Sequence, residues 1–313
     1  AKFEPAEREL TAAASGYEEA TKFGQSDAEG FEMLAEALAK LTELSLMKQK
    51  CDKKIYAEVL AVSDKITVAD PDSIAGPLKK AFATWVVMAG EDLVTTRPPY
   101  IKTCLDNVEL ALKKQPENPY ARELLSSCLS EEAVHIYGER GDPGPIYLRA
   151  ISVLEPILEK NPNFLLGLRS LGIRYTELAM WIQKSGDLRV GAMLQRSLAY
   201  FSRALALDAS DANSVTYALD TRSKLIAIAR CNELQELVAK ADEAVEQCHS
   251  LVGEHFACEG NRLIVHSIAA ERAYLCSADP LPYLRRADES TSALRKQNIE
   301  LLDIEQGVVR MRL

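Results

Sequence analysis

The sequence has no run of basic residues, and its acidic residues outnumber its basic ones by 46 to 37. The net charge of −9 at pH 7 argues against a nucleic-acid-binding surface, because such surfaces consist of clustered lysine and arginine. The lack of basic clusters also argues against electrostatic attachment to an anionic membrane. No stretch approaches the ~18 consecutive apolar residues of a membrane-spanning helix, so we predict no membrane insertion.

Cysteine pairs of the Cys-x-x-Cys type are also missing. The chain has seven cysteines, an odd number, at positions 51, 104, 128, 231, 248, 258 and 276. A chain of 313 residues can bury a sufficient core without covalent cross-links. We therefore predict reduced, mostly buried thiols in a cytoplasmic protein. The acidic start, AKFEPAEREL, has no apolar segment like that of a signal peptide, which agrees with this location.

Strand signals are nearly absent, whereas helical periodicity occurs throughout. There is no alternating run bounded by turn residues and no Asn-Gly or Asp-Gly hairpin. Residues 197–210, SLAYFSRALALDAS, place Ser197, Phe201 and Ala204 at steps of four and three, and the pattern stops at Asp208. This spacing predicts an amphipathic helix. The 47% hydrophobic and 27% charged residues are typical of a soluble helical protein rather than a disordered one.

The same helical pattern returns at a nearly constant interval. Anchor residues near the helix starts are Tyr56, Tyr100, Tyr147, Met193, Leu237 and Tyr283, which are 44, 47, 46, 44 and 46 residues apart. An imperfect further copy starts near Leu10. A second set of helices, roughly five turns long, lies between these. Since such hairpins bury their apolar stripes by stacking, we predict an all-α solenoid of about six antiparallel hairpins, with residues 1–313 as a single superhelical domain.

One hairpin resembles the tetratricopeptide repeat (TPR) on both of its helices. Ser197, Phe201 and Ala204 match the small, aromatic and Ala positions of the family's second helix, but Ala209 stands where the family has Pro. In the first helix the segment LRSLGIRY supplies the matching positions, which are Leu168, Leu171, Gly172 and Tyr175. The other copies match less closely, and their period exceeds the usual ~34 residues, which implies longer helices.

The turns between the helices resemble those of a narrower group. The segments RGDPGPIYLRA and SADPLPYLRRA are similar to turns in the helical arrays that follow the kinase domain of large bacterial serine/threonine kinases of the myxobacterial type. This resemblance implies that the chain is the non-catalytic sensing or recruiting region of a larger bacterial signalling protein.

Catalytic motifs are absent from the sequence. It lacks the kinase elements, the Gly-x-Ser-x-Gly elbow, the His-Glu-x-x-His zinc motif and the phosphate-binding loop, so we predict no enzyme activity and no cofactor. The densest group of potential metal ligands is Cys248, His249, His255 and Cys258. We favour solvated turn histidines over zinc, because Cys248 already fills a small-residue position of its helix. His135 and His266 are expected to be structural.

The TPR resemblance implies a concave surface, lined by the first helices, that holds a peptide or partner protein. Polar positions outside the core on these helices are the candidate contacts, namely Arg122, Arg169, Arg174, Glu177, Arg222 and Lys224. The four arginines and the lysine predict a locally basic groove, which favours an acidic peptide; the alternative is that these residues simply keep a helix face hydrated. We therefore predict a protein-interaction scaffold. The alternative is an accessory component of a bacterial transporter that handles a small ligand, which would require an apolar pocket.

Both ends of the chain carry apolar residues without an evident neighbour. They are Leu10, Tyr17 and Phe23 at one end and Leu301, Leu302, Ile304, Val308 and Val309 at the other. Because solenoids normally close each end with a polar face, we expect a longer array or end-to-end self-association.

Overall fold

The computed structural model describes residues 4–23, 28–47, 52–90, 97–184, 188–252 and 256–296. Within these ranges the chain forms helices and turns and contains no strand, so the predicted all-α fold class is confirmed. The helices are α1 (Glu4–Phe23), α2 (Ala28–Met47), α3 (Lys53–Ala69), α4 (Ala75–Gly90), α5 (Arg97–Lys114), α6 (Pro119–Gly138), α7 (Gly144–Lys160), α8 (Leu165–Lys184), α9 (Val190–Leu207), α10 (Ala212–Ile228), α11 (Leu234–Val252), α12 (Phe256–Leu275) and α13 (Leu281–Lys296). None of these helices is long and apolar enough to cross a membrane.

The helices group into two compact units, residues 1–162 with α1–α7 and residues 163–313 with α8–α13. The six anchors of the repeat each lie in the first turn of an odd-numbered helix, from Tyr56 in α3 to Tyr283 in α13. The imperfect copy corresponds to α1, which begins at Glu4 rather than near Leu10.

Each unit consists of two layers of helices. The even-numbered helices pack directly on one another, α2 on α4 and α4 on α6 in the first unit, and α8 on α10 and α10 on α12 in the second. Each odd-numbered helix packs against the even-numbered helices that precede and follow it in its unit. Successive hairpins therefore stack as the sequence predicts.

Polar side chains fix where several helices begin. Asp52 precedes α3 and accepts hydrogen bonds from the backbone N–H groups of Lys54 and Ile55. Asn118 precedes α6 in the same way and accepts from Ala121 N at 3.0 Å. Such caps satisfy N–H groups that have no partner inside the helix. They place the turns of the array at defined residues.

In the TPR-like hairpin, α8 and α9 approach each other closely at Gly172. Phe201 is 1% exposed, and a Cβ atom added at Gly172 would lie only 2.6 Å from its ring. A glycine is therefore required for the ring to pack against the backbone of α8. Beside it, the hydroxyl of Ser197 donates to Gly172 O at 2.7 Å and lies 2.8 Å from the hydroxyl of Thr176. Thr176 also contacts the hydroxyl of Thr221 in α10 at 2.8 Å, so buried hydroxyl groups link three helices.

Ion pairs connect neighbouring hairpins. Five pairs join residues that lie 40 to 44 positions apart, nearly one repeat, and they are Lys79 with Glu36, Arg149 with Glu109, Lys160 with Glu117, Arg169 with Asp211, and Arg286 with Asp242. Water screens the more exposed of these pairs, so each adds little to stability. They supplement the apolar stacking rather than replace it.

The prediction of reduced thiols is wrong for six of the seven cysteines. They form three disulfides, Cys104–Cys128, Cys231–Cys276 and Cys248–Cys258. The paired cysteines form no short motif: two of the disulfides join successive helices, and Cys231–Cys276 joins turns that lie one repeat apart. Cys51 lies outside the described residues.

The expectation of unpartnered apolar residues at the start of the chain is also wrong for two of the three residues named. Leu10 and Tyr17 pack against a cluster that contains Phe31, Leu34 and Leu38 of α2. Most other positions of α1 are exposed. The Phe23 side chain and the apolar residues 301–309 lie outside the described residues, so self-association through the C-terminal end stays a prediction.

Replacing Gly172 by alanine should destabilise the protein by about 1–3 kcal/mol, because the new methyl group overlaps the Phe201 ring. Gly260→Ala is the matched control, since this helical glycine has no atom within 4 Å of its added Cβ. The control should be neutral or up to ~1 kcal/mol more stable. Urea unfolding measures both variants, and equal effects would contradict the packing described.

The Phe201→Ala variant should lose about 3–5 kcal/mol of stability, because it leaves a cavity beside Gly172 and Tyr217. Thermal and chemical unfolding followed by far-ultraviolet circular dichroism measure the loss. A change below about 0.5 kcal/mol would mean that the ring does not fill the core between helices.

Candidate functional site

The predicted contact residues lie on even-numbered helices, but most of their charges are already paired. Arg122 in α6 donates to Pro116 O at 2.8 Å and to Glu117 at 2.9 Å. In α8, Arg169 pairs with Asp211 at 3.2 Å. The predicted basic groove thus has much less available positive charge than the sequence indicates.

Two further members of the predicted set pair with carboxylates of their own helix. Arg174 is only 6% exposed and donates to Glu177 at 2.6 Å. Lys224 pairs with Asp220 one turn earlier in α10. Arg174 is therefore a core residue, contrary to the expectation of a non-core position.

Arg222 lies on a different side of α10 from Lys224. It is spaced four residues from Ala218 and from Ile226, which are both buried. Burial lowers the pKa of the Arg222 guanidinium, and the charge of Glu243 in α11 partly opposes this effect. Its buried Nε has no hydrogen-bond partner among the described residues.

The six predicted contact residues do not form one cluster. Arg174 and Glu177 contact each other, and Arg122 lies in the other unit. Whether the six residues bind a partner stays a prediction.

A cleft in the first unit is a different candidate surface. It lies where α1 and α3 end, with a volume of about 710 Å³. Its lining residues are Glu18, Thr21 and Lys22 of α1, Phe31 of α2, and Asp64, Lys65, Val68 and Ala69 of α3. Phe31 is 5% exposed, whereas Val68 is 81% exposed. The cleft thus combines a buried aromatic ring with an exposed aliphatic side chain.

Two lysines in the cleft keep their charge available. The ammonium group of Lys65 lies 5.5 Å from the centroid of the Phe31 ring, at cation–π distance. Neither Lys65 nor Lys22 has an ion-pair partner within the described ranges. Asp64 is neutralised by Lys80 at 2.8 Å, which leaves Glu18 as the acidic lining residue without such a pair.

No pattern in the sequence predicts this cleft. On α1 and α3 the lining residues recur at steps of three and four, which in the sequence looks like an ordinary hydrated helix face. Only the packing of the two helices on α2 brings the faces together over Phe31.

The cysteine and histidine cluster around residue 250 does not form a metal centre in this structure. Cys248 and Cys258 are bonded to each other, so their sulfurs are not free to ligate a metal. His249 Nε2 lies 2.8 Å from Glu259, and His255 is outside the described residues. Within the described ranges no group of three or more Cys, His, Asp or Glu side chains is placed to hold an ion.

His266 has a structural role, as the sequence predicts. It is fully buried in α12, and its Nε2 donates to Asp242 of α11 at 2.9 Å. Asp242 also pairs with Arg286 of α13. Burial raises the pKa of Asp242, but the hydrogen bond from His266 and the nearby positive charges outweigh this effect, and the net pKa is lowered.

Comparisons with solved structures give helical-repeat proteins of low sequence identity. YrrB is described as a TPR protein with an unusual peptide-binding site. It is 17% identical to this chain, with a TM-score of 0.42, and the alignment covers 79% of this chain and 97% of YrrB. TTC0263, a TPR protein of Thermus thermophilus, is 16% identical with a TM-score of 0.47, and the alignment covers 76% of this chain and 98% of TTC0263. Yeast Tom70 is 13% identical with a TM-score of 0.44, and the alignment covers 99% of this chain and 61% of Tom70. No protein-family model matches the chain, and no curated protein matches it.

Replacing Asp242 by asparagine should destabilise the protein by about 1–3 kcal/mol at pH 7, because His266 loses its charged acceptor. Since the pKa of Asp242 is lowered in the folded state, its contribution is present above its unfolded pKa of about 4 and is lost as the pH falls through the folded pKa. The variant should therefore lose less stability than the wild type in that acidic range.

Unfolding by urea at a series of pH values checks this expectation. Asp106→Asn is the control, because Asp106 forms an exposed pair with Lys102 within one helix and should change stability by less than about 0.5 kcal/mol. Parallel pH profiles for wild type and the Asp242 variant would contradict the assignment.

Proposed function

We propose that the chain is a protein-interaction scaffold and that the cleft between α1 and α3 binds a partner segment carrying an apolar side chain next to acidic residues. The observation that supports this function is the pair of available ammonium groups, Lys22 and Lys65, at a cleft with a buried Phe31 ring. Apolar contact would supply affinity, and the two lysines would select for carboxylates.

The proposed contact follows from the lining. A partner side chain that enters the cleft covers Val68 and reaches the Phe31 ring, and each Å² of apolar surface removed from water contributes about 25 cal/mol. The Lys65 ammonium now lies over that ring and has no carboxylate partner among described side chains. It can turn toward an incoming acidic group without breaking an ion pair.

The even-numbered helices provide a second candidate surface. The predicted residues Arg122, Arg169, Glu177 and Lys224 lie there, but their ion pairs must be exchanged for partner contacts before they can bind. That exchange makes the even-numbered faces a weaker proposal than the cleft. Their role for an acidic peptide remains part of the proposed scaffold.

The wider context of the chain is proposed on sequence resemblance. The turn segments RGDPGPIYLRA and SADPLPYLRRA support membership of a larger bacterial signalling protein that also carries a kinase domain, with no catalysis in this chain. The location is revised: the cytoplasm was predicted from reduced thiols, whereas disulfides persist in oxidising compartments. We therefore propose that this region folds in an oxidising compartment.

The alternative function, handling a small ligand for a transporter, is less well supported. It calls for an apolar pocket, whereas half of the residues lining the cleft are charged. A mixed lining of this kind suits a peptide with both apolar and acidic side chains better than an apolar ligand.

Selection from a random peptide display library should yield sequences that pair Leu or Phe with Asp or Glu. The Lys22→Glu/Lys65→Glu variant should bind a selected, fluorescently labelled peptide about tenfold more weakly or worse, because each charge reversal replaces attraction by repulsion of order 1 kcal/mol. Fluorescence polarisation at rising salt should show weaker binding, since exposed charges are screened.

The matched control is Lys113→Glu, an exposed lysine of α5 outside the cleft lining. It should leave the affinity nearly unchanged. Selection of basic peptides, or an equal loss in the control, would refute binding at the cleft. If a variant loses its helical circular dichroism signal, the Val68→Asp variant is used as a second test of the same surface.

A further inference from the structure

The disulfide Cys231–Cys276 differs from the other two in its place in the fold. Its cysteines lie in the turns after α10 and α12, in equivalent positions 45 residues apart, which is one repeat. The bond therefore joins the ends of two neighbouring even-numbered helices and closes a loop that contains all of α11 and α12. At the same place Arg272 Nε donates to Ala229 O at 2.6 Å, which links the same two helix ends without a covalent bond.

The three disulfides also differ in exposure. Cys104 and Cys128 are fully buried, and Cys248 and Cys258 are 2% and 0% exposed. Cys231 is an exposed residue in a turn, and Cys276 is half-buried. Thiol–disulfide exchange requires a thiolate to reach a sulfur atom, so the buried bonds react only after the surrounding helices open.

From this contrast we infer that Cys231–Cys276 is the thiol-exchange site of the chain, a covalent clasp that a dithiol reductant opens while the other two disulfides persist. The reductant's thiolate attacks the sulfur of Cys231, the more exposed of the two residues, forms a mixed disulfide and releases the Cys276 thiolate. The second thiol of the reductant then displaces Cys231. The protein disulfide gains two electrons and two protons, and the reductant leaves as a disulfide.

Opening the clasp affects a defined part of the second unit. Tyr274 and Leu275, which directly precede Cys276, are 74% and 63% exposed, and the bond fixes the turn that follows them. Without the bond, the ends of α10 and α12 remain connected through the Arg272 hydrogen bond and helix packing. The expected result is local loosening of the two turns rather than unfolding of the unit. This inference does not depend on the cleft, which lies in the first unit.

Graded reduction with dithiothreitol, followed by iodoacetamide labelling and peptide mass spectrometry, tests the order of opening. Cys231 and Cys276 should become labelled at about tenfold lower reductant concentration than the two buried pairs, which serve as internal controls. Simultaneous opening of all three bonds, or earlier opening of a buried pair, would overturn the inference. So would oxidised protein in which Cys231 and Cys276 are not bonded to each other.

A double variant tests the structural effect without reductant. Cys231→Ser/Cys276→Ser should keep the helical circular dichroism signal and show faster amide hydrogen exchange only around residues 229–234 and 272–281. Unchanged exchange at both turns would mean that the bond is not a clasp, and loss of the helical signal would mean that it is required for folding rather than open to exchange.

Discussion

The stacking of the described hairpins relies on small residues at several helix–helix contacts. Gly172 is the extreme case, because the Phe201 ring occupies the space of the missing side chain. On the odd-numbered helices the small residues Ala150, Ser197 and Ala241 are fully buried, and so are the larger residues Leu154 and Val245, four positions after Ala150 and Ala241. The apolar stripe of one helix is therefore buried by its neighbours, and the two-layer order of each unit follows from this contact.

Periodic features were predictable from the sequence because they are local. The spacing around Ser197 and Phe201 predicts the helix, and the 44- to 47-residue interval of the anchors predicts which helices are equivalent. Pairings across the repeat were not predicted. Cys231 and Cys276, like Lys79 and Glu36, meet because stacking places residues one repeat apart side by side. Opposite charges, or cysteines, separated by one period are a signal that could have revealed these contacts.

The charges available at the candidate site could not be predicted from the sequence. Basic residues such as Arg169 and Arg174 looked available in the sequence, yet each has an acidic partner set by the fold. Conversely, Lys22 and Lys65 looked like ordinary hydrated residues, and only the meeting of α1, α2 and α3 places them at a cleft. A charged side chain in a repeat protein points to a binding surface when it has no ion-pair partner in the fold. The sequence by itself does not show which charges are paired.

The contacts between helices also determine how the chain folds. The helices that pack extensively are next to each other in the chain or separated by one helix, so most contacts join segments that are close in sequence. Closing short loops has a small entropic cost, and proteins with such low contact order fold quickly. A hairpin that has formed is a template for the next one, so folding can begin at several places and spread along the chain.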